Sequence, residues 1–179
     1  MMIKRFQKRL AELFGKTKAN NVLDVGCGEG FTIQYLYDHY PQIDFQGIDL
    51  SQKTIAIAKE NNPYAKFSVG SITEIPYPDS SFDLVICSEV LEHLENPEKA
   101  LIELIRVSRR YLLLTVPNEP WFRISSFLTG KYLTAWGNHP EHIQNWSKKS
   151  FLNFVQKYNK IISVKTSFPW TIVLCRKSS

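Results

Sequence analysis

The sequence has few cysteines and no long hydrophobic run, and both absences limit what the protein can be. No apolar stretch approaches the roughly 18–20 residues of a transmembrane helix, so none is expected. Cys27, Cys87 and Cys175 are far apart and lack metal-ligand spacing. This argues against a disulfide framework and a cysteine zinc site, and predicts reduced thiols in a cytoplasmic protein.

Acidic side chains are scarce near both ends of the chain, so the net charge of +5 is uneven. The first segment, MMIKRFQKRLAELFGKTK, is predicted to contain a basic amphipathic helix within residues 1–18. It has no continuous apolar core and no small-residue cleavage site, so a secretory signal is not expected. From His142 to Ser179 the chain has basic residues but no Asp or Glu. Two interpretations stay open: a solvated basic surface, or a surface that binds nucleic acid or an anionic membrane.

Short apolar segments alternate with helical patterns through much of the chain. The predicted strands are 21–25, 43–48, 65–69, 83–87 and 110–116, and the helices between them are 30–39, 51–61 and 97–108. Ser51 and Asn96 are the expected N-caps of the last two helices. The alternation predicts an α/β fold with a doubly wound, mostly parallel sheet between two helical layers, a three-layer sandwich.

The last part of the chain breaks this alternation. Segments 161–168 and 170–177 are predicted strands joined so tightly at Pro169 that they must form an antiparallel hairpin. The sheet would then have seven strands, with an antiparallel strand near one edge. Segment 117–158 is long and aromatic, and is interpreted as a substrate lid that ends in a helix at 147–158, capped by Ser147. Residues 1–179 are expected to form a single domain.

The turn after the first strand has the spacing Gly-x-Gly-x-Gly, from Gly26 to Gly30. This differs from the dinucleotide fingerprint and lacks the Lys of a phosphate loop, and Glu29 within the turn disfavours a pyrophosphate. Asp49 ends the second strand, where a carboxylate can accept both hydroxyls of a ribose. The combination predicts an adenosine ligand whose amino-acid or sulfonium portion lies near the glycines. The alternative is a tight turn with a helix-capping aspartate and no ligand.

Four segments carry a resemblance to a known family. They are VLDVGCGEG (22–30), GIDLS (47–51), IPYPDSSFDLVICSEVLEHLENPEKAL (75–101) and LLLTVPNE (112–119). The chain resembles the class I S-adenosylmethionine-dependent methyltransferases, and within them the branch that includes the ubiquinone- and menaquinone-biosynthesis methyltransferases. The resemblance implies a Rossmann-like fold, S-adenosylmethionine as cofactor and S-adenosylhomocysteine as product.

The resemblance also implies which residues contact the cofactor. Asp49 would hold the ribose and Leu50 would pack on the adenine, while the glycine turn would line the methionine part with Asp24 beneath it. Ser71 stands where many relatives have an Asp that accepts from the adenine amino group, and a hydroxyl can also accept. The implied cofactor-binding residues are Asp24, Gly26, Cys27, Gly28, Gly30, Asp49, Leu50, Ser71, Ile72, Ser88, Glu89 and Val90.

Two histidines are candidate catalytic residues. Because a sulfonium is already a strong electrophile, the protein mainly has to align the acceptor and exclude water. His93, just past the fourth strand, and His142, in GNHPEHIQNW (137–146), could each accept a proton. The alternatives are a pocket-shaping histidine at 93 and a hydrogen-bonded loop around 142.

The lid supplies the candidate substrate contacts. They are Asn118, Trp121, Trp136, His139, Glu141 and Trp146. The alternative is that the aromatic residues form the core of the lid. No metal site is predicted, because the spacing of the histidines fixes no geometry and no fourth ligand is evident.

Taken together, these patterns predict a methyltransferase that acts on a small molecule at oxygen or carbon by in-line displacement. An RNA or protein methyltransferase and a non-catalytic S-adenosylmethionine-binding protein are the alternatives. There is no strong case for nucleic acid as a partner. The basic first helix suggests peripheral contact with an anionic membrane, which would suit a lipid-soluble acceptor such as a quinone. The sequence does not indicate an oligomeric state.

Overall fold

Seven strands form one sheet, and helices cover both of its faces. The computed structural model describes residues 2–121 and 143–178. The strands are β1 Asn21–Val25, β2 Asp44–Asp49, β3 Lys66–Val69, β4 Phe82–Ser88, β5 Ser108–Pro117, β6 Asn159–Ser167 and β7 Trp170–Lys177. The helices within the described ranges are α1 Met2–Phe14, α2 Phe31–Tyr37, α3 Gln52–Asn61, α4 Pro97–Val107 and α5 Lys148–Gln156, and Leu91–His93 forms a 3₁₀ turn.

The strand order is β3-β2-β1-β4-β5-β7-β6. Strands β1 to β5 pair in parallel, and β7 runs antiparallel to both β5 and β6. The predicted α/β sheet with an antiparallel C-terminal hairpin is therefore confirmed. The chain leaves β1 toward β2 and β3 and returns to β4 on the other side of β1. This reversal creates a crevice at the carboxyl ends of β1 and β4, where such sheets bind ligands.

Each central strand is buried on both faces, which explains its nearly continuous apolar sequence. In β4, Leu84 and Ile86 pack into the layer with α1, α2 and α3, whereas Val85 and Cys87 pack into the layer with α4 and α5. Full burial of each such aliphatic side chain contributes roughly 1.5–3 kcal/mol. The predicted three-layer sandwich follows from this two-sided burial.

Polar caps fix the starts of three helices, as the sequence predicted. The side chains of Ser51, Asn96 and Ser147 accept hydrogen bonds from the backbone amides of Thr54, Lys99 and Ser150 at 3.2, 3.0 and 3.1 Å. Such a cap contributes about 1 kcal/mol.

Some predicted boundaries are wrong by one or two residues. Helix α2 begins at Phe31 and not at 30, because Gly30 has φ +83° and cannot continue a right-handed helix. Helix α4 ends at Val107, because Ser108 is already extended and starts β5 directly.

The three cysteines are free thiols and all are buried. Among residues 2–121 and 143–178, no helix is long and apolar enough to cross a membrane.

Candidate cofactor and acceptor site

A cavity of about 740 Å³ lies at the carboxyl ends of the parallel strands, a size within the usual range for small-molecule sites. Eight residues predicted from the sequence line it together with four that were not. The lining residues are Gly26, Asp49, Leu50, Ser51, Gly70, Ser71, Ile72, Thr73, Glu89, Val90, His93 and Leu94. The structure thus brings the glycine turn, the acidic end of β2 and the segment after β4 to one place.

Gly30 and Gly28 are glycines for different structural reasons. Gly30 has φ +83°, and a Cβ there would lie 2.5 Å from Nδ2 of Asn62, so packing alone requires glycine. Gly28 also has a positive φ, of +54°, but a Cβ there would meet nothing within 4 Å. Tight packing therefore explains Gly30, while Gly28 leaves open space beside a backbone that a ligand can approach.

Asp49 joins the glycine turn to the start of α3. Its Oδ2 accepts a hydrogen bond from the Gly28 amide at 3.0 Å, and its Oδ1 accepts from the Ser51 amide at 2.9 Å. Each carboxylate oxygen keeps a further lone pair that can accept from a hydroxyl. The capping role and the ribose-binding role, which the sequence left as alternatives, are therefore compatible.

Apolar surface for a flat ring lies next to Asp49. Leu50 is 77% exposed and lines the same cavity as Ile72. Ser71 also lines this part of the cavity, and its Oγ accepts a hydrogen bond from the Thr73 amide at 3.2 Å. The predicted adenine contacts therefore all line the same cavity.

Asp24 is a buried carboxylate beneath the glycine turn. It is only 1% exposed, and neither carboxylate oxygen has a hydrogen-bond partner within residues 2–121 and 143–178. Burial, with a smaller contribution from the charge of Asp49, raises the pKa of Asp24 to about 7. An uncompensated acid at this place fits a ligand that brings positive charge to the turn.

Two other predicted cofactor residues direct their side chains away from the cavity. Cys27 Sγ is buried against β2, where a Cβ on Gly47 would come within 2.8 Å of it, and burial raises the pKa of this thiol. Ser88 Oγ lies 2.9 Å from Thr115 Oγ1 of β5. Neither Cys27 nor Ser88 is among the residues that line the cavity.

Glu89 is held at the cavity wall in an unusual backbone conformation, with φ +58°. Thr115 Oγ1 donates to its Oε1 at 2.7 Å, and the Trp170 side chain also hydrogen-bonds to it. Burial raises the pKa of Glu89 above the ordinary value, while these two hydrogen bonds lower it. A strained residue that three strands hold in place is a typical feature of functional sites.

Glu92 and His93 follow in the 3₁₀ turn. Glu92 is 1% exposed, and within the described residues neither carboxylate oxygen has a hydrogen-bond partner. Burial and then the negative charge of Glu89 raise the pKa of Glu92. At neutral pH the pair therefore favours keeping a proton on Glu92. His93 lines the cavity beside them.

The sequence did not indicate that Glu92, Thr115 or Trp170 belongs to the site. The signal for Glu92 was the spacing of two glutamates in EVLEH, which places both near the end of β4. Thr115 and Trp170 gave no signal, because only the pairing of β4, β5 and β7 brings them to Glu89. No three His, Cys, Asp or Glu side chains in the described ranges are grouped as a metal site.

The predicted substrate residues that the structure describes lie outside the cavity lining. Asn118 Oδ1 accepts from the Lys148 amide at 2.8 Å, and the rings of Trp146 and Phe154 lie 4.8 Å apart beside α5. Trp121 lies against Phe168, with ring centroids 6.4 Å apart. The remaining predicted residues, Trp136, His139, Glu141 and His142, lie outside the described residues.

Two residues of the predicted lid segment are hydrogen-bonded to the segment that follows β4. The backbone amides of Ile143 and Gln144 both donate to the Glu92 carbonyl at 2.9 Å, and Gln144 Nε2 donates to the Leu94 carbonyl at 3.0 Å. This part of the predicted lid segment is thus attached to the 3₁₀ turn that carries His93 and to Leu94 beside it.

Part of the chain is similar in sequence to known methyltransferases. A family model described as a methyltransferase domain matches residues 23–111. Ajmaline N-methyltransferase of Rauvolfia serpentina is 37% identical over 97 residues, 51% of this chain and 33% of that protein. Demethylmenaquinone methyltransferase of Thermotoga maritima is 30% identical over 139 residues, 74% of this chain and 59% of that protein. The chain thus spans between a third and three fifths of the length of these relatives.

The fold has close counterparts among solved structures. The crystal structure of the cyclase SpnF aligns with a TM-score of 0.75 at 17% identity, over 97% of this chain and 80% of that one. The fold is that of a Rossmann-like domain with a cavity at the carboxyl ends of its parallel strands. The chain belongs to the class I S-adenosylmethionine-dependent methyltransferases, and S-adenosylmethionine is the cofactor that this family and fold imply.

Proposed function

We propose that the protein transfers a methyl group from S-adenosylmethionine to a small-molecule acceptor, at oxygen or carbon, by in-line displacement. Asp49 carries the proposal, because it joins the glycine turn to the start of α3, lines the cavity and keeps lone pairs that can accept further hydrogen bonds. Two relatives are named for methyl transfer involving small molecules, ajmaline and demethylmenaquinone, and they support the acceptor class.

The residues of the cavity fit this cofactor. Asp49 would accept from the ribose hydroxyls, Leu50 and Ile72 would contact the adenine, and Asp24 would balance the positive charge near the glycine turn. When bound, the cofactor supplies a methyl group already activated on a sulfonium. The protein then has to hold an acceptor beside that methyl group, exclude water and remove a proton where the acceptor carries one.

Glu89 is the group that we propose accepts this proton. It lines the cavity, its carboxylate is fixed by Thr115 and Trp170, and burial moves its pKa upward toward neutrality. A base with a pKa near the working pH is efficient in proton transfer. His93 lines the same cavity and stays the alternative base, whereas His142 lies outside the described residues.

Calorimetric titration with S-adenosylmethionine tests the cofactor site, using Asp49→Asn beside the wild-type chain. Replacing a carboxylate that accepts two hydroxyls should weaken binding by about 1.5–3 kcal/mol, roughly ten- to a hundredfold. Asp44→Asn is the matched control, because Asp44 is an exposed aspartate at the other end of the same strand. Its affinity for the cofactor should equal that of the wild type.

Absence of binding in a folded sample that retains no cofactor or product would reject the cofactor site. If binding is established, methyl transfer is measured with labelled S-adenosylmethionine and a panel of phenols, quinols and activated-carbon acceptors. Transfer to transfer RNA or to protein instead would favour the alternative substrates. A cyclase shares this fold, so binding without transfer to any acceptor would favour a non-methylating role.

A further inference from the structure

Exposed apolar side chains from separate elements lie at the carboxyl edge of the sheet. Met2 and Ile3 begin α1, and Ile3 is 66% exposed. Phe168, between β6 and β7, and Trp121, after β5, are each about half exposed and contact each other. We call these four residues the apolar edge. Single exposed apolar residues are ordinary, but large ones gathered at one edge are typical of an interaction surface.

Two contacts show that α1 runs antiparallel to β6 and places its first turn at this edge. Lys165 Nζ lies 2.9 Å from Glu12, and Lys16 Nζ lies 3.1 Å from Ser163 Oγ. Residue numbers therefore increase along α1 in the direction in which they decrease along β6. The rings of Phe6 and Trp170 are 5.1 Å apart at the start of β7. Met2 and Ile3 precede Phe6 by one turn, about 5 Å, and extend past the end of β6.

The apolar edge borders the cavity of the proposed active site. Trp170 contacts Phe6 on one side and hydrogen-bonds to Glu89 on the other. The Pro169 carbonyl, in the turn that also holds Phe168, accepts from the Asn118 amide at 2.7 Å. A surface that binds at this edge would therefore lie next to the cavity mouth.

The exposed charges on the first two turns of α1, beside the apolar edge, are basic. Lys4, Arg5 and Lys8 are exposed on α1, and within residues 2–121 and 143–178 no ion pair involves them. Arg9, one turn after Arg5, differs from them because it pairs with Glu12 at 2.9 Å. Cations without an acidic partner on this surface favour an anionic partner.

We propose that the apolar edge and these three cations dock on an anionic lipid surface, with the cavity mouth toward the bilayer. Lipid headgroups match the cations, and the acyl boundary accepts the aliphatic and aromatic side chains. A nucleic acid would match the cations but would leave Met2 and Ile3 against a polar backbone. The protein would then take an acceptor dissolved in the bilayer, a consequence that rests on the proposed function, whereas the docking does not.

Sedimentation with vesicles tests the docking. The wild-type chain should sediment with vesicles of phosphatidylcholine and phosphatidylglycerol, less so with added salt, and weakly with phosphatidylcholine alone. The double variant Lys4→Glu, Arg5→Glu should lower the partition coefficient roughly tenfold or more. Ile3→Gln should lower it roughly threefold, because a polar side chain replaces a buried aliphatic one.

Matched controls use the same changes away from the edge. Lys59→Glu, Arg110→Glu alters charge equally at exposed positions near the opposite edge of the sheet, and Ile102→Gln alters α4 at a residue that is 50% exposed. Both controls should sediment as the wild type does. Control variants that lose as much binding as their partners would overturn the proposed surface.

Titration of each preparation with S-adenosylmethionine separates the two proposals. Unchanged cofactor affinity in the edge variants, together with lost vesicle binding, supports the docking surface. Intact cofactor binding with no sedimentation on anionic vesicles at low salt overturns the docking alone. Transfer-RNA binding that is lost in Lys4→Glu, Arg5→Glu but not in Ile3→Gln, without vesicle binding, overturns it in favour of a nucleic acid.

Discussion

The surroundings of Asp24 disfavour the negative charge that an aspartate ordinarily carries at neutral pH. In the unfolded chain an aspartate has a pKa near 3.8, and burial raises the pKa of Asp24 to about 7. Between these values the folded state binds more protons than the unfolded state, so the free energy of unfolding falls as the pH rises. The ionised carboxylate then costs up to about 4 kcal/mol at pH 8, a cost that a positively charged ligand would offset.

Replacing Asp24 should therefore separate stability from binding. Asp24→Asn is expected to exceed the wild type in free energy of unfolding by about 2–4 kcal/mol at pH 8 and to match it near pH 4. Its affinity for S-adenosylmethionine should fall. Urea denaturation at several pH values measures the first effect, with Asp44→Asn as the control for loss of an exposed carboxylate. Parallel pH profiles for wild type and Asp24→Asn would contradict this account of Asp24.

At the scale of secondary-structure elements, the features that depend on residues adjacent in the chain were predicted from the sequence. Alternating periodicities identified the strands and helices, and Ser51, Asn96 and Ser147 indicated helix starts through their own side chains. The boundary at Gly30 was missed, because one residue's φ decides it. The 3₁₀ turn at Leu91–His93 was also missed, because so short a turn leaves no periodic pattern.

The contacts of Glu89 show why part of the site could not be predicted. Thr115 is 26 residues away in sequence, and it reaches Glu89 only because β4 and β5 pair with Ser88 opposite Thr115. Trp170 reaches it only because β7 inserts between β5 and β6. Register and strand order depend on residues far apart in the chain, so they leave no local pattern from which they could be predicted in a single sequence. The predicted residues that line the cavity follow the ends of their strands closely, so neighbouring sequence was enough to locate them.

The pairing of these strands sets the proton affinity of Glu89. Thr115→Val removes a donor that favours the ionised carboxylate, so the pKa of Glu89 should rise further. A base works only when it is deprotonated, so the acidic limb of the pH–rate profile should move about one unit to higher pH. Glu89→Gln should lower methyl transfer by roughly 10²–10⁴-fold, with S-adenosylmethionine binding retained.

The measurement is the pH dependence of methyl transfer to an acceptor found by the labelled-cofactor screen. Thr171→Val is the matched control, because Thr171 is an equally buried threonine of β7 whose hydroxyl has no partner in the part of the chain that the structure describes. It should leave the acidic limb in place. If the acidic limb of the pH–rate profile does not shift in Thr115→Val but is lost in His93→Asn, the proton transfer is assigned to His93.

At the scale of the whole molecule, the proposed cofactor site exists only when the sheet is assembled. Asp24, Asp49, Ser71 and Glu89 lie in or within two residues after four different strands, and parallel pairing alone brings those strand ends together. The unfolded chain has no comparable site. S-adenosylmethionine should therefore bind the folded state alone and stabilise it by mass action.

This predicts a thermal shift whose size depends on Asp49. At a concentration about 100 times the dissociation constant, the cofactor should add about 2.7 kcal/mol, which raises the melting temperature of a chain of this size by about 5–10 °C. At the same concentration, Asp49→Asn should lose about half of this shift or more, because its weaker binding leaves the site less saturated. Asp44→Asn should keep the full shift, as measured by scanning calorimetry. An equal shift in Asp49→Asn would mean that the cofactor is held elsewhere than at the end of β2.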